Sequence, residues 1–146
     1  MQLETSYLGT VKYKQEDIIV FQGGLPGFPE ETEFILLPFN EQPPFYILQS
    51  VRTKEIGFVC INPFLFWPDY EVELADSVVR QLSAESEQDV AIFVLLTIQQ
   101  PFSKSTANLR APIAVHAKKR FAKQLMLDGE RYSLKAPIHT AGKGGR

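Results

Sequence analysis

Three carboxylates at alternate positions, Asp69, Glu71 and Glu73, are the residues best spaced to do chemistry. On an extended strand they would share one face about 7 Å apart, close to the separation of the acid and base in glycoside hydrolases. The sequence sets no basic partner beside them and gives no sign of an aromatic cleft. The pattern therefore leaves three readings open: a solvated strand face, an acidic face for a protein partner, or a small hydrolase or carbohydrate-active site near Asp69.

Other catalytic groups are missing. His116 and His139 stand far apart, whereas metal sites gather His and Cys at short spacing. No metal ligand and no cofactor is expected. Cys60 is the single cysteine, so no internal disulfide can form. It lies in the apolar run Phe58-Val59-Cys60-Ile61, where a thiol behaves as a small hydrophobe and no neighbouring cation lowers its pKa. There is no Gly-x-Ser-x-Gly elbow. Pro26 and Pro29 remove backbone donors from the glycine-rich loop at 23–29, so it does not make a dinucleotide fingerprint. The segment Gly142-Lys143-Gly144-Gly145 lacks the Ser/Thr of a phosphate loop. No catalytic residue is assigned, and a binding protein is expected rather than an enzyme.

Charge is unevenly distributed. The formal net charge is −2, but residues 1–117 carry −8 and residues 118–146 carry +6. Such separation points to charged partners. Residues 69–89 alone hold seven acids against Arg80. The cluster Lys118, Lys119, Arg120 and Lys123 offers phosphate attraction. It lacks the interleaved aromatics of an RNA-binding sheet, so a solvated hairpin and no direct nucleic-acid contact are expected.

The elements that must position these residues read as short strands. Strand-like stretches fall at 11–13, 17–21, 33–37, 45–51, 56–61, 70–74, 90–98, 108–110, 113–117 and 132–134. Pattern and propensity favour a strand over 121–127 as well. Segment 90–98 is the most hydrophobic and is predicted to be central and buried on both faces, with Phe93 in the core. Asp76 is predicted to cap a short helix through Leu82. Turn signals divide these runs, notably Gly23-Gly24-Leu25-Pro26-Gly27-Phe28-Pro29 and Asn62-Pro63. The fold class is thus mainly β: a single antiparallel sheet, closed or nearly closed into a barrel, with one or two short helices. Residues 1–138 are read as one domain and 139–146 as a flexible tail. The start of the chain shows no signal-peptide pattern, and no apolar run approaches the ~20 residues of a membrane helix. A cytoplasmic protein without a membrane partner is expected.

Three segments in order and spacing resemble the FliW family of flagellar assembly factors. They are Gly24-Leu25-Pro26-Gly27-Phe28-Pro29-Glu30; then Phe58-Val59-Cys60-Ile61-Asn62-Pro63-Phe64 continuing through Trp67-Pro68-Asp69-Tyr70-Glu71-Val72; and Asn108-Leu109-Arg110-Ala111-Pro112-Ile113 followed by Gln124-Leu125. The resemblance implies a cytoplasmic protein that binds flagellin and, when flagellin is scarce, the translational repressor CsrA. Binding CsrA would antagonise its hold on RNA and relieve repression of flagellin translation. On this reading the partner-binding residues are Phe64, Phe66, Trp67, Asp69, Tyr70, Glu71, Glu73 and Asp76. The pointed feature is Phe64, Phe66 and Trp67, three large aromatics in four positions that cannot all face inward on a regular strand. Either their loop folds back onto the core or it offers an aromatic patch to a partner.

Overall fold

The computed structural model describes residues 1–40 and 45–138. The chain opens with a hairpin of β1 (Gln2–Thr5) and β2 (Gly9–Lys12) that forms its own two-stranded sheet. Then come β3 (Ile19–Phe21), β4 (Glu33–Asn40), β5 (Phe45–Ser50) and β6 (Gly57–Ile61), and after a long excursion β7 (Val90–Thr97). The short β8 (Thr106–Ala107), β9 (Ile113–His116), β10 (Phe121–Gln124) and β11 (Ala136–Pro137) complete the set.

Seven strands close into a barrel in the order β7-β6-β5-β4-β3-β10-β9, because β7 pairs with β6 on one side and with β9 on the other. Closure gives every strand of the ring a neighbour on both sides over part of its length, which hides much of the edge that a chain rich in β-formers would otherwise expose. Six of the seven pairings are antiparallel. The exception is β3 with β10, which run parallel over two register pairs, Val20 with Phe121 and Phe21 with Ala122. β8 extends the C-terminal half of β7 beyond the reach of β9, and β11 pairs with β8.

Period-two alternation fills the barrel. Ile19 and Phe21, Phe34 and Leu36, Tyr46 and Leu48, Phe58 and Cys60, Phe93 and Leu95, Ile113 and Val115, and Ala122 all belong to one cluster, so every strand of the ring contributes. Phe21 and Phe34 meet edge to face at 5.3 Å. Burial pushes the Cys60 thiol far above its ordinary pKa, in keeping with a packing role. The outer faces are covered separately. One cluster of Ile61, Val94, Leu109 and Tyr70 lies under the 62–72 segment. Another, of Ala114, Leu125 and Leu82, lies under α1 (Asp76–Gln81).

The glycine-rich loop plugs the barrel. Leu25 is buried in the interior cluster and exchanges two backbone hydrogen bonds with Phe28, around a Pro26–Gly27 turn in which Gly27 takes φ +86°. Pro before a residue of positive φ is the signature of a type II turn. Gly24 has φ +74°, and a Cβ there would lie 2.5 Å from the Phe28 carbonyl oxygen and 2.6 Å from that of Pro29.

Several expectations are corrected. Residues 70–74 form no strand; the in-out alternation is real, with Tyr70 buried and Val72 and Leu74 packed against the outer clusters, but the segment lies across the barrel instead of joining a ladder. The strand expected at 108–110 is β8, two residues earlier, and the one expected at 132–134 is replaced by β11 at Ala136–Pro137. In α1 the capping position is Ala75, with Asp76 in the first turn. Within β7 only Val94 is fully buried, and Phe93 is half-buried although it points into the barrel. His139 and the tail at 139–146 lie outside the described residues. Among the described residues no helix is long and apolar enough to cross a membrane, and no group of three His, Cys, Asp or Glu is placed to hold a metal.

Candidate partner-binding surface

β6 ends at Ile61, and the next four residues explain why the chain turns. The Asn62 side chain accepts a hydrogen bond from the Phe64 amide at 3.0 Å, and Pro63 starts a 3-10 turn over Pro63–Leu65 with its φ already set. Phe66 and Trp67 both donate backbone N–H to the Pro63 carbonyl. A turn this tight splays successive side chains, which resolves the question of the three aromatics. Phe66 and Trp67 fold back, with Phe66 stacked on Phe45 at 6.1 Å and 16° between planes. Phe64 stays 39% exposed, and Leu65, which the sequence did not single out, is 60% exposed.

Tyr70 follows and points inward. Its hydroxyl donates to the Leu109 carbonyl and its ring meets Tyr132 edge-on at 4.7 Å. Burial, with Tyr132 adding, drives the hydroxyl well above the ordinary tyrosine pKa, so it stays a donor. Tyr70 is therefore an anchor beneath the surface, while the residues around it face solvent.

The acids then emerge one by one. Asp69, Glu71, Glu73 and Asp76 are all exposed. Glu71 is held at both ends: its backbone N–H donates to the Tyr132 hydroxyl oxygen at 2.9 Å, and its carboxylate accepts from the Arg131 guanidinium at 3.0 Å. Arg131 also lies over the Tyr132 ring at 5.1 Å. The hydrogen bond to Glu71 comes first among the causes that raise its pKa. Arg131 and Tyr132 were not candidates from the sequence; an aromatic and a cation 60 positions from Glu71 carry no local signal of the contact. Farther on, a 3-10 turn at Glu87–Asp89 directs the Asp89 carboxylate at the amides of Glu85 and Ser86, which hold it below the usual aspartate range.

The structure thus brings Phe64 and Leu65 together with an exposed acidic run. Phe66 and Trp67 support the loop from behind, and Tyr70 fastens it. Between the 62–74 segment and β7 lies a groove of about 370 Å³ whose lining includes the apolar Phe64, Val72, Leu74 and Ile92 together with the acidic Glu87. The arrangement offers an apolar anchor site with a negative margin, which is what an amphipathic segment carrying basic residues requires.

The whole described span matches a known family. The family described as FliW protein matches residues 2–138. The flagellar assembly factor FliW of Shouchella clausii (strain KSM-K16) is 99% identical over 146 residues, covering 100% of both chains. That of Geobacillus kaustophilus (strain HTA426) is 48% identical over 135 residues, covering 92% of this chain and 93% of its own. A solved chain, from the crystal structure of the flagellar assembly factor FliW, superposes with a TM-score of 0.88 at 43% identity, covering 94% of this chain and 96% of that one.

Proposed function

This chain belongs to the FliW family of flagellar assembly factors, and we propose on that basis that it is a cytoplasmic binding protein with two alternative partners. It holds flagellin, and when flagellin is scarce it binds the translational repressor CsrA and antagonises its grip on RNA. Flagellin translation then resumes until new flagellin draws the protein away again. The protein carries out no turnover and uses no cofactor.

The observation that carries the surface assignment is the pairing of exposed Phe64 and Leu65 with the acidic run from Asp69 to Asp89. The apolar pair supplies an anchor, and a margin with seven acids and one base repels phosphates approaching a bound repressor. At physiological salt that repulsion reaches about 8 Å, so direct overlap with the RNA site is not required. A hydrolase built on the same carboxylates has less support, because Glu71 is paired with Arg131 and all three acids lie exposed on an irregular segment.

The experiment is a titration of purified protein into a preformed complex of CsrA with a flagellin leader RNA. Release of RNA at near-stoichiometric protein, reversed by added flagellin, is the expected result. RNA that stays bound at saturating protein would overturn the repressor half of the reading. Release that flagellin does not reverse would overturn the two-partner cycle.

A further inference from the structure

On one side of β10 the chain runs on after its neighbour β3 has left. β3 pairs with β10 only as far as Phe21 and Ala122, and the chain then turns away at Gln22 into the glycine-rich loop. Past Gln124, the last residue of β10, the chain keeps the same pairing with the segment that precedes β9. Leu125 donates its N–H to the Pro112 carbonyl and Leu127 donates to that of Arg110, each at 2.8 Å. In an antiparallel pair, alternate residues turn their backbone groups toward the partner. If 125 and 127 face β9, then Gln124 and Met126 direct N–H and C=O to the opposite side, where β3 is no longer present. Met126 is 66% exposed.

This open edge lines two grooves that share Lys123 and Gln124. One, of about 530 Å³, runs between the glycine-rich loop and the end of α1. The other, of about 630 Å³, runs between Glu71, Glu73 and Val78 on one side and residues 125–128 with Arg131 and Tyr132 on the other. Native edges are commonly guarded by a lysine. Here the Lys123 ammonium is drawn aside to Gln81 Oε1 at 2.6 Å. In the second groove Glu71 has Arg131, but Glu73 and Asp128 have no ion-pair partner among the described residues.

We propose that this edge accepts an extended, cationic segment of another protein as an added strand on β10. The backbone of Gln124 and Met126 would pair with alternate residues of the incoming chain, and Glu73 and Asp128 would receive its basic side chains. A second copy of this chain fits less well, since edge-to-edge pairing would bring the Glu73 and Asp128 carboxylates of both copies together. The inference rests on backbone geometry and does not depend on the flagellin and CsrA reading.

The probe is the blocked peptide acetyl-Lys-Val-Lys-Val-Lys-Val-amide, with two further versions N-methylated at all three lysines or at all three valines. Binding to the full chain is followed by isothermal titration, and amide exchange of Gln124 and Met126 by NMR. The unmodified peptide should slow exchange at those two amides. One N-methylated version should lose binding and the other should keep it, because an added strand uses only every second N–H. Glu73→Gln combined with Asp128→Asn should weaken binding by about tenfold. No binding of the unmodified peptide, equal binding of both N-methylated versions, or binding without slowed exchange at Gln124 and Met126 would each overturn the proposal. So would protection of those amides that rises with protein concentration in the absence of peptide, which would make a second copy the occupant.

Discussion

The hydroxyl of Tyr70 donates to the carbonyl oxygen of Leu109, 39 positions along the chain, at 2.5 Å. This bond pins the segment after β6 to the segment before β9. It thereby fixes where the aromatic turn and the acidic run sit on the barrel. Tyr70→Phe keeps the ring contact with Tyr132 but leaves a buried carbonyl unpaired. The expected cost is about 1–3 kcal/mol, read as a lower urea midpoint with an unchanged slope. A midpoint equal to that of the parent would mean that the bond contributes nothing net.

The glycine-rich loop allows an internal comparison. Gly24→Ala meets two carbonyl oxygens and adopts an unfavourable φ, whereas Gly27→Ala has the same kind of φ with open space around it. The second should cost only the left-handed conformation, about 1–2 kcal/mol. The first should cost clearly more, because the plug must shift as a whole. Thermal unfolding of the two variants side by side tests the order, and equal losses would show that the backbone conformation alone matters.

Asp89 makes stability depend on acid. The amides of Glu85 and Ser86 lower its folded-state pKa, so the folded protein binds the proton less readily than the unfolded chain does. Its contribution is complete above the ordinary aspartate value, about 3.9, and is lost as pH falls through the depressed folded value. An NMR titration of the Asp89 side-chain carbonyl should give a midpoint below that ordinary value. Asp89→Asn should flatten the acid limb of the stability curve, and a midpoint at the ordinary value would remove this turn as a cause.

Charge reversal tests the acidic surface. Glu71→Lys with Glu73→Lys leaves the core untouched, since both side chains face solvent, and should weaken displacement of RNA from CsrA most strongly at low salt. If repulsion at a distance dominates, direct CsrA binding falls less than displacement does. If the acids pair with basic residues of CsrA, both fall together and dissociation quickens. Displacement that is unchanged at both salt concentrations would take this patch out of the mechanism and shift attention to Phe64 and Leu65.

Much of the architecture is legible in the residues alone because strand alternation is a local signal. Phe58 and Cys60, or Ile113 and Val115, declare their inward face by period two, and Asn62-Pro63 declares the end of β6. The absence of clustered histidines and the isolation of Cys60 were likewise visible without coordinates, as was the concentration of acid between Asp69 and Asp89. Family motifs placed the chain as a whole, and the match over residues 2–138 agrees.

The tertiary structure decided what local pattern cannot carry. Residues 70–74 alternate as a strand does, yet form none: they run along the outside of a ring that closes through β7 and β9 without them. Their alternation records packing against the outside of a barrel, which imposes the same period on any extended segment. Tyr70 was grouped with the surface residues around it, and only Leu109 and Tyr132, remote in sequence, draw it inside. The open edge at Gln124 and Met126 depends on where β3 turns away, a fact about a strand one hundred residues earlier. Backbone pairing is non-local and carries no side-chain signature, so a sequence can state which residues favour strands while only the folded chain states which strand is left without a neighbour.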